Sequence, residues 1–180
     1  VLQYRISPEA TEQDIRRVHI QDMINLVKDV PSPGFYNFVD ETPLNQYSWK
    51  ASLRSVGAAI AATDAVLDGI IDNAFCVNRP IGHHSTMGEA MGFCVFNSVA
   101  AAAMYAVKIR KLKKVAIIDL DVHHGNGTEN IFLYEPSVAM ASYYQEYIYP
   151  FIGNETPRQH MLNIPVPAGT DGRAVQKILK

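Results

Sequence analysis

Apolar positions along the 180-residue chain follow two rhythms. The first is helical. Ile20, Met23, Ile24 and Val27 recur at three- and four-residue steps, which predicts a helix over His19–Val30. Thr11 with Asp14 three positions on has the form of an N-cap and its partner, so a helix should run from there to about Val18. Leu53, Val56, Ile60 and Leu67 mark one face of a long helix over Ser48–Leu67, with Gly69 as its stop. A second alanine-rich helix is predicted over Val95–Arg110, a short one over Glu129–Tyr134, and a last one capped by Asp171. The second rhythm is a series of short apolar runs: Ala74–Asn78, Val115–Asp121, Val138–Tyr143 and Met161–Val166. Each reads as a buried strand. Between the second and third predicted helices, Pro31–Gly34 breaks the chain. Phe35–Gln46 then mixes aromatic and acidic residues without period, as the rim of a pocket would.

Strands alternating with helices predict βαβ units and an α/β domain built on a mainly parallel sheet. Such sheets put ligand sites at the carboxyl ends of their strands. His83–His84 follows the first predicted strand, Asp119–His124 ends the second, and Ser142–Tyr149 ends the third. Three loops should therefore converge. One domain over residues 1–180 suits the length. The net charge of −2 argues against direct nucleic-acid binding, which needs clustered cations. The densest basic run, Lys108–Lys114, reads as a helix C-terminus, where cations favour the macrodipole. Cys76 and Cys94 sit among apolar neighbours and read as buried thiols of a reducing compartment. No signal-peptide pattern and no apolar run of membrane-spanning length is visible, which predicts no membrane association and a cytoplasmic location, with a nuclear one compatible.

The candidate chemistry lies in Val115–Thr128. Asp119, Asp121 and His123 stand at i, i+2 and i+4, so an extended chain would present all three on one side. Carboxylate oxygen and imidazole nitrogen together suit Zn²⁺, Fe²⁺ or Mn²⁺. The adjacent pair His83–His84 cannot face one ion together from an extended loop. Proton transfer is the natural role for at least one of them.

Four stretches together resemble the zinc-dependent histone deacetylase superfamily, with its bacterial deacetylase-like and acetylpolyamine amidohydrolase members. They are Arg79–Ser85, Gly92–Ser98, Ile118–Thr128 and, more loosely, Asn163–Gly172, in the family's order and spacing. Asn126 and the run Phe96–Ser98 are closer to the class II branch. The resemblance implies a three-layer α/β/α fold of the arginase/deacetylase type. It implies a metal-dependent amidohydrolase that removes acetyl or similar acyl groups from acyl-lysine peptides or small acylated amines. Asp121 and His123 would be two zinc ligands, with Fe²⁺ an alternative ion. His84 would be the general base, oriented by Asn126, and His83 its neighbour, held by Asp119. Gly92 and Phe93 would line the acyl channel, with Tyr149 opposite and Asp40 or Glu41 at the rim. A potassium ion would be held by Asp119, Asp121, His123 and Ser142.

The sequence also departs from that pattern. Ile81, Ser85 and Tyr143–Tyr144 replace the family's usual residues. The third zinc ligand, an Asp, and the Tyr that polarises the substrate carbonyl would both lie past Lys180, and the first strand would lie before Val1. The expectation is a domain incomplete at both ends, inactive or poorly soluble alone, and completed by further sequence, by another chain or in a homo-oligomer. Two alternatives remain at this point. One is an arginase-type two-metal hydrolase, whose additional acids are not found. The other is a degenerate member that binds partners or acyl groups without turnover.

Overall fold

The computed structural model describes residues 2–31, 33–37, 41–153 and 158–178. Thr11 and Asp14 form the expected reciprocal capping box over α1 (Glu12–Ile15), and the chain then turns rather than continuing to Val18. Helix α2 (Gln21–Lys28) is shorter than the predicted His19–Val30 and buries Met23, Ile24 and Val27 of the predicted stripe, whereas Ile20 is its N-cap and is exposed. Within the stretch expected to be irregular, β1 (Tyr36–Asn37) and β2 (Pro43–Leu44) make a short antiparallel pair.

Helix α3 spans Ser48–Leu67, as predicted. Its buried face mixes Leu53 and Val56 with Ser52, Ser55, Gly57 and Ala58, small residues that let a second helix approach closely. That helix is α4 (Ser98–Lys108), whose Ala100–Ala103 are buried. It starts three residues later than expected, because Asn97 is its N-cap and accepts the Ala100 N–H at 3.0 Å. Val95 and Phe96 enter the core ahead of it in non-helical conformation. The basic run is structural at its start. Lys108 pairs with Glu135, and Arg110 bridges Asp64 of α3 and its C-cap Asp68.

The sheet is parallel, in the order β3 (Val115–Asp119), β4 (Val138–Gln145), β5 (Met161–Val166), with α5 (Asn126–Phe132) crossing between β3 and β4. Helix α6 (Gly172–Ile178) follows, capped by Asp171, whose carboxylate accepts the Arg173 and Ala174 N–H groups. Ile117, Val138, Met140 and Met161 pack with Phe132, Ile15, Ile24, Val27 and Val56 into one core. Each fully buried aliphatic or aromatic side chain contributes roughly 1.5–3 kcal/mol.

One predicted strand is not formed. Residues 74–78 join no ladder among the described residues, and Phe75 and Val77 are 91% and 86% exposed. Only alternate side chains reach α3: the Cys76 thiol towards Ala58 O, and Asn78 to Ser55 Oγ. A strand exists through its neighbour's backbone groups, which a local apolar pattern does not report. For the same reason Cys76 is an exposed free thiol, whereas Cys94 is buried as expected.

Candidate active site

The carboxyl end of β3 begins the site. The strand stops at Asp119, two residues earlier than predicted, because two carboxylates fold back on the chain. Asp119 Oδ1 accepts the Asp121 N–H at 3.1 Å, and Asp121 Oδ1 accepts the His123 N–H at 2.8 Å. Asp119, Asp121 and His123 are thus arranged by two successive Asx turns, not by strand alternation.

These turns separate the three residues by task. Asp119 points inward, where its Oδ2 meets His83 Nδ1 at 2.9 Å. Burial alone would push this carboxyl up. The His83 hydrogen bond and charge, with the Asp121 N–H, outweigh it and hold Asp119 below its ordinary value. Asp121 and His123 are more exposed, and Asp121 Oδ1 lies 3.0 Å from His123 Nδ1. Two neighbouring ligands of one ion, each at ~2.0–2.1 Å, stand roughly 3.0–3.5 Å apart, so this oxygen–nitrogen pair fits a divalent metal as two of its donors. Among the described residues no group of three or more His, Cys, Asp or Glu side chains forms a metal cluster.

His84 is buried between this pair and the turn Met91–Cys94. Its Nδ1 is 2.7 Å from Asn126 Oδ1, so Nδ1 carries the proton and Nε2 keeps its lone pair. The opposite side of the Asn126 amide donates from Nδ2 to Met91 Sδ at 3.4 Å. Burial first, then the His83 ring and His123, push the His84 imidazole down to about 4, against the opposing pulls of Asn126 and Asp121. Tyr149 meets His84 edge-on, with ring centres 4.9 Å apart, and faces His123 at 6.2 Å. Gly92 and Phe93 complete this wall, both in left-handed conformation at φ 55° and 62°. A Cβ at Gly92 would sit 2.6 Å from His84 Cδ2 and 2.8 Å from Tyr149 Cε1, so only glycine fits. Phe93 projects into solvent, and its N–H is held by Thr42 Oγ1 at 3.1 Å. The sequence-predicted site residues His83, His84, Asp119, Asp121, His123, Asn126, Gly92, Phe93 and Tyr149 therefore meet. Asp40 lies outside the described residues. Its alternative Glu41 is exposed, at φ 53°.

Ser142 is in register with Asp119, but its hydroxyl engages His124 Nδ1 at 3.0 Å and the Gly125 N–H at 3.2 Å. Three supporting groups carry no local sequence signal. His124 Nε2 meets Glu129 Oε2 at 2.7 Å, and Asn163 donates to Glu129 Oε1 at 2.8 Å, which ties the loop of Asp121 and His123 to α5 and β5. Asn97 donates to Thr128 Oγ1 and to Ser85 O, linking the α4 cap to the loop of His84. His19 spans Thr86 O and the Asn97 N–H at 2.9 Å each. At Gly127 a Cβ would overlap Ser85 O at 2.3 Å, so α5 can lie directly on that loop.

Residues 2–180 match the model of the histone deacetylase domain. The chain belongs to the histone deacetylase family. Among its relatives, the histone deacetylase-like amidohydrolase of Pseudomonas aeruginosa is 37% identical over 175 residues, 93% of this chain and 46% of that protein. The polyamine deacetylase of Danio rerio is 35% identical over 76% of this chain and 21% of its own length. In three dimensions the chain resembles the crystal structure of the HDA15 HD domain, with a TM-score of 0.83 at 32% identity, covering 88% of this chain and 48% of that one. The α/β deacetylase fold expected from the sequence is thereby established. The chain spans about half the length of these two longer matches, the Pseudomonas protein and the HDA15 HD domain. No helix among the described residues is long and apolar enough to cross a membrane.

Proposed function

We propose that the chain carries the base and two metal ligands of a metal-dependent amidohydrolase acting on acyl-lysine peptides or small acylated amines such as polyamines. The observation that carries this reading is the orientation of His84. Its Nδ1 donates to Asn126 Oδ1 at 2.7 Å, which leaves Nε2 with its lone pair, and its ring lies beside that of His123, with centres 5.7 Å apart.

Asp121 and His123 would hold the ion, zinc or iron(II), which would supply Lewis acidity to the scissile carbonyl and to the attacking water. His84 takes the water proton at Nε2 and returns it to the departing amine nitrogen. Positive charge on His84 is transient there, because the ring is buried and faces a neutral amide rather than a carboxylate. Asp119 fixes His83 beside it. Gly92, Phe93 and Tyr149 flank the acyl chain. In the same reading Asp119, Asp121, His123 and Ser142 would hold a potassium ion, partly through backbone carbonyls. A cytoplasmic or nuclear setting suits this chemistry.

The two-donor set among the described residues favours one second reading, an acyl-binding member without turnover. Metal analysis with acetyl-lysine peptide and acetylated polyamine assays separates the two. Turnover that disappears in His84→Ala, with metal content lowered by His123→Ala, supports the hydrolase. Equal turnover in wild type and His84→Ala removes His84 from its role.

A further inference from the structure

His84 can accept a proton only at a nitrogen that does not already carry one. Which nitrogen that is depends on which end of the Asn126 amide faces it. With Oδ1 towards His84, Nδ1 must be the donor and Nε2 is free. With the amide reversed, its NH₂ would face Nδ1, and the proton would move to Nε2, where it blocks the base. Asn126 is 5% exposed, so water does not choose between these arrangements. Its other neighbour does. Met91 Sδ lies 3.4 Å from Asn126 Nδ2, and a thioether sulfur accepts hydrogen bonds but has no hydrogen to donate. A reversed amide would set carbonyl oxygen against sulfur, two acceptors without a proton between them.

We infer that Met91 is a positioning residue for His84: its sulfur fixes the orientation of the Asn126 amide and so keeps Nε2 of His84 unprotonated. The inference deepens the proposed function and rests on it. The turn around Met91 is built for this contact. Cys94 N–H bonds Met91 O at 2.9 Å and closes it, and Cys94 Sγ accepts the His84 backbone N–H at 3.4 Å. Gly92, between the two sulfurs, packs on the His84 ring. One turn thus places a weak, uncharged acceptor on the backbone of His84 and another on its partner. Neither adds a negative charge that would favour the imidazolium.

The test is the His84 tautomer, read by long-range proton–nitrogen correlation spectra of the ¹⁵N-histidine-labelled chain at neutral pH. His84 is assigned by its loss in His84→Gln. The wild type is expected to show a single Nδ1–H tautomer. Met91→Leu, near in volume but without an acceptor, is expected to lose that single state and show both tautomers. Selenomethionine at 91, also an acceptor without a proton, is expected to behave as wild type. An Nε2–H tautomer in the wild type overturns the inference, even if Met91→Leu does not fold. So does an unchanged Nδ1–H state in folded Met91→Leu. The spectrum does not depend on turnover, so absence of amide hydrolysis would count against the functional reading alone.

Discussion

Protonation of His19 should cost this fold its hold on the His84 loop. His19 is 4% exposed, and both ring nitrogens are used: Nδ1–H donates to Thr86 O, and Nε2 accepts the Asn97 N–H. Burial pushes its pKa down to about 4, against the smaller opposing pulls of the Thr86 and Met87 backbone. The folded value thus lies below the unfolded one, near 6.5, so the unfolded chain binds the proton more tightly. The stability from neutral His19 is fully present above pH 6.5 and is lost as pH falls from there through 4. The gap corresponds to about 3 kcal/mol at the acid limit and about 2 kcal/mol already at pH 5. Urea unfolding of wild type and His19→Gln at pH 7.5 and pH 5 measures this. Glutamine offers a neutral acceptor for the Asn97 N–H and does not titrate. The drop in stability between the two pH values should be about 2 kcal/mol smaller in the variant. His84 and the carboxylates titrate in both proteins and cancel in the comparison. Equal drops would refute the assignment of a buried, neutral His19.

Asn97→Ala removes the α4 cap and leaves Ser85 O and Thr128 Oγ1 without this donor. A loss of about 2–4 kcal/mol is expected in urea unfolding, against roughly 1 kcal/mol for an exposed cap. Gly92→Ala forces a Cβ into His84 and Tyr149 at φ 55°. It should cost about 1–2 kcal/mol of stability and, on the proposed function, reduce amide hydrolysis by about 100-fold or more, since displacement of His84 by ~1 Å would have effects of that order. A variant as active as wild type would show that His84 need not hold this position. Arg110→Ala breaks two partly exposed ion pairs and should leave the urea midpoint close to that of the wild type. Filter binding should detect no affinity for duplex DNA in either form.

The sequence by itself determined what is local. The limits of α3 follow from a 20-residue apolar stripe, and the limits of β5 from a six-residue run between turns. The Thr11–Asp14 box acts within one helical turn. The motif around Asp119–Thr128 carried its chemistry in consecutive residues, so its resemblance was readable without coordinates. Tertiary structure decided everything that needs a distant partner. Residues 74–78 have a strand's composition, but strand identity belongs to pairs of chains, and among the described residues this segment has no pair. Asp119, Asp121 and His123 were expected on one strand face. They are instead set by carboxylates that capture N–H groups two residues ahead, a competition that periodicity does not register. His19 meets Asn97 across 78 positions, and Met91 meets Asn126 across 35. Hydrogen bonds over such separations exist only once the core has closed around them. The sequence therefore named the candidate groups, and the packed chain decided how each is oriented.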